Sequence, residues 1–407
     1  MSRSFLFLQG VCSPFFYHLA RRLEAEGHRV HHVSFAAGDV LYWRGRRGFA
    51  YRRKLEYLNA FLDDKYRTLG ITDQVLFGDR RPIHRVAVLR ADHHGVRTHV
   101  FEEGYFRPFW VTLEREGVNG HSLLPRDPDW FREVGGRLPD YGDGEPFTSP
   151  FWIRAAHDVA YHVAGALNPI LFPGFRTHVP FIAPVEYYGY VCRLPTLRFH
   201  GPRDNHVIDG LIASRRPYFL LPLQLGTDAQ IRDHSRFENM SEVMEFVVDS
   251  FARNAPGDAQ LVIKNHPLDM GLTDYRRIQR DLGDRFGVSD RLHYLETGDL
   301  GKLVRPAMGV VTVNSTVGGF SLGMNCPTIA LSDPIYNLPG LTFQGHLDDF
   351  WRERVPPEQE LFRRFRNTVI HTTQVNGGFY TQAGIRLAVE NSLRILSADR
   401  SPLEALT

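Results

Sequence analysis

Cysteine is scarce: Cys12, Cys192 and Cys326 are spread over 407 residues. No two are close enough to spell a zinc or redox pair, and an odd count does not build a disulfide framework, so a reducing compartment is expected. No uninterrupted apolar run approaches the ~20 residues that span a bilayer. The N-terminal run Phe5-Leu6-Phe7-Leu8 is too short for a signal peptide and reads as a first strand. Neither charge sign dominates, with 48 Lys and Arg against 46 Asp and Glu. The resulting +2 gives no global drive toward nucleic acid. A Walker loop is missing, and the first strand is not followed by G-x-G-x-x-G, which weakens a dinucleotide reading. Histidine is plentiful, at 19. The pairs His31-His32 and His93-His94 are nevertheless adjacent, not spaced i, i+4, and no metal site is expected.

What is present is a globular composition, 43% hydrophobic and 23% charged, long enough for two domains of about 200 residues. Strand Ser4–Leu8, the turn Gln9-Gly10, a helix from Pro14 to Glu26 stopped by Gly27, and strand Val30–Phe35 form a Rossmann-like opening. Gly38-Asp39 follows as a loop. A helix is expected over 49–69, a strand near 74–77, a helix over 81–92 and a strand over 97–101. Residues 105–150 read as irregular, because Pro, Gly and aromatics crowd there. Helices are expected over 150–167 and near 183–194, and Gly201-Pro202-Arg203-Asp204-Asn205 breaks the pattern. Beyond it, strands near 217–223, 260–264, 291–295, 309–313 and 327–331 alternate with helices, as in a doubly wound sheet. The expected division is 1–205, 206–355, and C-terminal helices over 356–407 packing back on the first domain.

Three apolar runs end in polar residues, and ligands of open α/β sheets bind at such carboxyl ends. Leu261-Val262-Ile263 ends in Lys264, Asn265 and His266, which offer cationic and neutral donors to a phosphate. Val310 to Val313 ends in Asn314, Ser315 and Thr316 at a helix start, where free N–H groups suit an anion; the alternative is an ordinary N-cap. Tyr218 to Leu223 ends in Gln224, four residues before Asp228, which could be a nucleophile, a base or a cap. Glu102 and Glu103 end another strand, beside Tyr105 and Arg107, as candidate acid/base carboxylates or loop caps. Arg44, Arg46, Arg47, Arg52, Arg53 and Lys54, six cations in eleven residues, are a solvated surface or a contact for anionic phosphates.

The stretches FLQGVCSPFFYHLARRLEAEGHRVHHVSFAAGD, VFEEGYFRPFWVTLEREGVNGHSLLPRDP, LLPLQLGTDAQIRDHS, KNHPLD and VNSTVGGFSLGMNCPTI resemble the capsule polysaccharide biosynthesis/export family. The similarity runs from residue 5 to about 335, and its nearest branch starts the Kdo linker of lipid-anchored bacterial capsules. It implies a GT-B-like α/β fold, two Rossmann-like doubly wound domains facing a central cleft. The first domain would be acceptor-side and 206–355 would bind a CMP-sugar. It implies a retaining β-Kdo transferase moving Kdo from CMP-β-Kdo to a phosphatidylglycerol-type lipid, without a cofactor. Its location would be cytoplasmic, peripheral on the inner face of the inner membrane, in company with other capsule synthesis and export proteins.

By motif, Asp228 of Q-x-x-x-D would be the covalent nucleophile with Gln224 beside it, and Glu103, or else Glu102, the acid/base. Lys264 and His266, with Asn265, Asn314, Ser315 and Thr316, would hold the donor phosphate. Arg46, Arg47, Arg52 and Arg107 would meet the acceptor or the membrane. The rival readings are a transferase or epimerase using another nucleotide sugar, and a non-catalytic export factor.

Overall fold

The computed structural model describes residues 2–176, 183–225, 231 and 235–407. It divides into two compact units: Met1–Pro125, Arg137–His178 and Asn367–Thr407 in the first, Arg126–Gly136 and Val179–Arg366 in the second. The α/β class and the Rossmann-like character of each half are as expected.

The first unit holds strands β1 (Ser4–Phe7), β2 (Arg29–Ser34), β3 (Phe49–Ala50), β4 (Asp73–Phe77), β5 (Arg97–Glu103), β6 (Trp110–Arg115) and β12 (Gln374–Asn376). They lie in the order β12-β6-β5-β4-β1-β2-β3, parallel except where β6 meets β5 and β12. Strand β1 shows why the sheet is covered on both faces. Phe5 and Phe7 enter one apolar layer, with Phe15, Leu19 and Phe101, while Leu6 and Leu8 enter the other, with Leu62, Leu76 and Ala87. A period of two with every position apolar is the signature of such a strand. The layers are built by helices α1 (Phe15–Ala25), α3 (Leu58–Leu69), α4 (Pro82–His93) and α15 (Gln382–Ser397), and the unit also holds α2 (Ala37–Tyr42), α6 (Phe151–Gly165) and α7 (Asn168–Leu171). Phe379, just before α15, stacks edge-on against Phe15 and Phe77 at 5.0 and 5.3 Å.

Several local expectations change. Residues 49–50 form an edge strand on β2, and the helix expected from 49 begins at Leu58. The Gly38-Asp39 loop is the start of α2, and β5 runs on to Glu103. The stretch read as irregular contains β6 and helix α5 (Pro128–Arg137). Strand β6 is paired on both sides, by β5 and by β12, whose sequence lies some 260 residues away. That long-range pairing leaves no local signal.

The second unit carries β7 (Tyr218–Pro222), β8 (Gln260–Lys264), β9 (Leu292–Leu295), β10 (Gly309–Thr312) and β11 (Thr328–Ala330), all parallel, in the order β11-β10-β7-β8-β9. Phe219 and Leu221 enter one layer with Val247, Phe251 and Trp351; Tyr218 and Leu220 enter the other with Ile208 and Leu303. Helices α9 (Met240–Asn254), α10 (Tyr275–Phe286), α11 (Leu300–Val304), α12 (Thr316–Gly323) and α13 (Leu347–Phe350) connect the strands, and α14 (Gln359–Thr373) follows. Helix α8 runs unbroken from Ala183 to Ser214 through Pro195 and Pro202. The break read at 201–205 is therefore absent, although each proline deprives the helix of one N–H donor. Its Ile208 packs under β7 and its Arg193 and Asp204 reach the loops after β8 and β9, which is why residues 183–205 belong to this unit.

Candidate active site

In the second unit the strand order reverses between β7 and β10, the kind of switch point at which open α/β sheets bind ligands. Gln224 follows β7, and Asn314 follows β10. The Gln224 Nε2 donates to Asn314 Oδ1 at 2.9 Å, and the Asn314 backbone N–H donates to Gln224 Oε1 at 3.3 Å. The two sequence candidates thus brace each other across the switch point, with Gln224 only 4% exposed. Asp228 lies outside the described residues.

Ser315 caps α12 by accepting from Val317 N at 3.2 Å, while its carbonyl accepts from the Tyr336 hydroxyl at 2.6 Å. Gly318 is needed here, because a Cβ would run into that tyrosine ring. Thr316 is exposed at the first turn. The order Gly319-Phe320-Ser321-Leu322-Gly323 matches the spacing of a hydrolase nucleophile elbow. Its Ser321, however, lies inside α12, is fully buried and is bonded to Gly318 O at 2.8 Å and Thr328 Oγ1 at 2.7 Å. No exposed nucleophile results.

Lys264 ends β8 with 7% exposure, and its Nζ donates to Asn265 O at 3.2 Å. Burial pulls its pKa below the ordinary lysine range; Asp204 works against that and Arg193 with it. Asn265 donates from Nδ2 to Glu296 Oε2 at 3.0 Å and accepts His266 N on Oδ1 at 2.8 Å. The Leu268 N–H donates to His266 Nδ1 at 3.1 Å. A neutral ring then carries its proton on Nε2.

Two residues that hold this loop escaped sequence reading, because they sit on α8, far away in the chain. Arg193 donates to the His266 carbonyl at 3.4 Å and to Glu296 Oε2 at 3.1 Å, and also to the Asp269 carbonyl. Asp204 Oδ2 accepts from the backbone N–H groups of Glu296 and Thr297, both at 2.9 Å. The loops after β8 and β9 are therefore tied to one helix.

In the first unit, Glu102 and Glu103 are the last positions of β5, and successive strand residues face opposite ways. Glu103 meets Arg154 Nη1 at 3.3 Å and accepts from the Tyr380 hydroxyl at 3.4 Å; the Arg154 guanidinium also lies 5.0 Å from the Tyr380 ring centre. Burial works against the Arg154 charge, yet Tyr380 and Glu103 leave its pKa raised. Glu102 instead accepts its neighbour's backbone N–H at 3.0 Å. Tyr105 is a brace: its hydroxyl donates to Glu114 at 2.6 Å and accepts Asn119 N at 2.7 Å. Arg107 is exposed, with its Nε 3.4 Å from Gly104 O.

The same unit holds a buried polar network around Gln9 and Asp39. Asp39 accepts from the N–H groups of Phe35 and Ala36 at 2.8 and 2.9 Å and from the Tyr161 hydroxyl at 2.9 Å. Burial nevertheless raises its pKa. Gln9 joins Tyr161 at 3.0 Å, and Arg81 joins Gln9 Oε1 at 3.1 Å. Burial pushes the nearby Cys12 thiol up to about 12, so it is not a thiolate nucleophile.

The basic stretch divides. Arg46 pairs with Glu24, donating from Nη1 at 2.7 Å, whereas Arg47 and Arg52 are exposed. Among the described residues no helix is long and apolar enough to cross a membrane.

Residues 72–380 match the model of the family described as capsule polysaccharide biosynthesis protein. The capsule polysaccharide export protein KpsS of Escherichia coli is 35% identical over 380 residues, covering 93% of this chain and 97% of that protein. The capsule polysaccharide modification protein LipB of Neisseria meningitidis serogroup B is 34% identical over 394 residues, covering 94% and 92%. Among solved structures, the β-Kdo 2,7 transferase of Thermosulfurimonas dismutans KpsC aligns over 97% of this chain and 100% of its own, at 12% identity and a TM-score of 0.44.

Proposed function

The chain belongs to the capsule polysaccharide biosynthesis protein family, and from that membership we propose that it is a retaining β-Kdo glycosyltransferase. Its donor is CMP-β-Kdo and its acceptor a phosphatidylglycerol-type lipid at the inner face of the inner membrane, where the product starts a capsule's Kdo linker. The observation that carries this reading is the second unit's switch point, where Gln224 and Asn314 are locked together. The same sheet end carries Lys264, Asn265 and His266. A sheet end lined with donors and closed by a helix N-terminus suits a nucleotide phosphate.

In this reading the Asp228 carboxylate attacks the anomeric carbon of Kdo as the bond from that carbon to the phosphate oxygen breaks. CMP leaves as a phosphate monoester whose growing charge is met by Lys264, by the Nε2 proton of His266 and by the first N–H groups of α12. Thr316 adds a hydroxyl there. In the second half the acceptor hydroxyl attacks the same carbon, its proton passes to Glu103, and the ester bond to Asp228 breaks. Two inversions give net retention. Arg154 and Tyr380 hold the Glu103 carboxylate in place. Arg47 and Arg52 meet anionic headgroups, each exposed cation near such a surface being worth ~1 kcal/mol.

The test is nucleotide selectivity by isothermal titration. CMP and CMP-Kdo are expected to bind, with affinity lost in Lys264→Ala, and UDP to bind far more weakly. Preference for UDP would transfer the reading to another nucleotide sugar. The Escherichia coli relative is named for export. A scaffold of that kind would bind neither nucleotide.

A further inference from the structure

The first unit has a switch point of its own, between β1 and β4 in the order β3-β2-β1-β4-β5. A cavity of about 80 Å³ lies there, lined by Gln9 after β1, Phe35 after β2, and Arg81 to Ile83 after β4. Arg53 and Arg176 join Arg81 in its wall. A second hollow of about 490 Å³, more open, shares Arg53 and Gly174 with it and adds Arg52 and Lys54. Among the described residues no carboxylate lines either one.

The rest of the inner lining is apolar: Phe35, Leu55, Ile83 and Phe175 among others. Leu55 and Tyr57 at the rim are 40% and 53% exposed, beside the cations. A cavity for a free small anion would not need that wall. Guanidinium groups over an apolar slot suit one class of ligand, a phosphate ester that carries a hydrocarbon chain.

Arg81 is preset for this role. Its Nη1 donates to Gln9 Oε1 at 3.1 Å and to Gly10 O at 3.0 Å, so its side chain is fixed before any ligand arrives. Arg53 is placed by a backbone contact: residues 173–176 press so closely on Arg52 and Arg53 that any Cβ at Gly174 would collide with the Arg52 and Arg53 carbonyls.

We propose that this recess is the acceptor subsite, with Arg53, Arg81 and Arg176 holding the lipid phosphate and the Phe35–Leu55–Ile83–Phe175 wall taking the start of an acyl chain. The proposal rests on the transferase reading for the identity of the lipid. It differs from surface docking by Arg47 and Arg52, because it predicts one saturable site.

The test is equilibrium binding of a short-chain lysophosphatidylglycerol, below its micelle concentration, to the full chain. Glycerol phosphate and inorganic phosphate serve as chainless probes. Saturable binding is expected, with both chainless probes at least tenfold weaker. Arg53→Gln combined with Arg176→Gln is expected to weaken the lipid tenfold or more, as loss of charge-assisted hydrogen bonds implies, with CMP affinity unchanged. Gly174→Val, which leaves every charge in place, is expected to weaken it also. CMP binding reports folding in each variant. Equal lipid affinity in the wild type and both variants would overturn the proposal, and so would chainless probes that bind as tightly as the lipid. Absent lipid binding with intact CMP binding would overturn it too. If the lipid binds as expected but receives no Kdo, the transferase reading fails and the subsite stands.

Discussion

Gln224 and Asn314 exchange two hydrogen bonds across the carboxyl ends of neighbouring parallel strands. Gln224→Ala removes both, at a cost of about 1–2 kcal/mol in urea unfolding. Gln224→Glu keeps an acceptor for the Asn314 N–H and, after rotation of the Asn314 amide, regains the second bond. It also sets a negative charge where the donor phosphate is proposed to bind. The expected outcome is a crossing of effects: Ala costs more stability, and Glu costs more CMP affinity.

Glu103 has the partners of a working carboxylate. Arg154 and Tyr380 reach it from helix α6 and the segment before α15. Glu103→Gln is expected to lower kcat by about 10²–10⁴ with little change in unfolding temperature, and Glu102→Gln to stay within a few-fold of wild type. Steady-state kinetics of the two variants decide this. Equal losses would remove the distinction.

Lys264 gives a pH signature. Its burial lowers the pKa, so the ammonium is lost at a lower pH than the ~10.4 of an exposed lysine. Donor affinity that depends on this charge is expected to fall on the alkaline side, below that ordinary value. Lys264→Arg, always protonated, should abolish the limb. Titrations of CMP across pH check it.

Asp73 anchors the first sheet rather than the site. It is fully buried and meets Arg97 at 3.1 Å, Arg3 at 3.3 Å and His99 at 2.9 Å. Burial pushes its pKa up, but the hydrogen bond from His99 and these charges outweigh that and hold it below the ordinary carboxylate value. A depressed acid contributes stability above its unfolded pKa of ~3.9 and loses it as pH falls through the lower folded value. Asp73→Asn should cost about 3 kcal/mol at pH 7, a penalty that shrinks below pH ~4. Unfolding curves at several pH values test it.

The sequence displayed what is local. All-apolar strands such as Phe5 to Leu8 and Leu261 to Ile263, each followed by a polar end, located both sheets and the candidate donor loops. It concealed what depends on distant partners. Strand β6 is made by β12, some 260 residues on. Arg193 and Asp204 sit in a helix whose prolines read as a break, and Arg154 and Tyr380 carry no motif. Side-chain spacing could not separate Glu102 from Glu103; only the pairing of β5 sets their faces. The basic stretch looked uniform, yet Arg46 is spent on Glu24 while Arg53 lines a cavity.

Kdo transfer would change the mass of the acceptor. The purified chain is incubated with CMP-Kdo generated in situ and a fluorescent lysophosphatidylglycerol, and the lipid is followed by mass spectrometry. The lipid is expected to gain Kdo, with the gain abolished in Asp228→Ala. A lipid of unchanged mass despite bound CMP-Kdo, or a gain that survives Asp228→Ala undiminished, would contradict it.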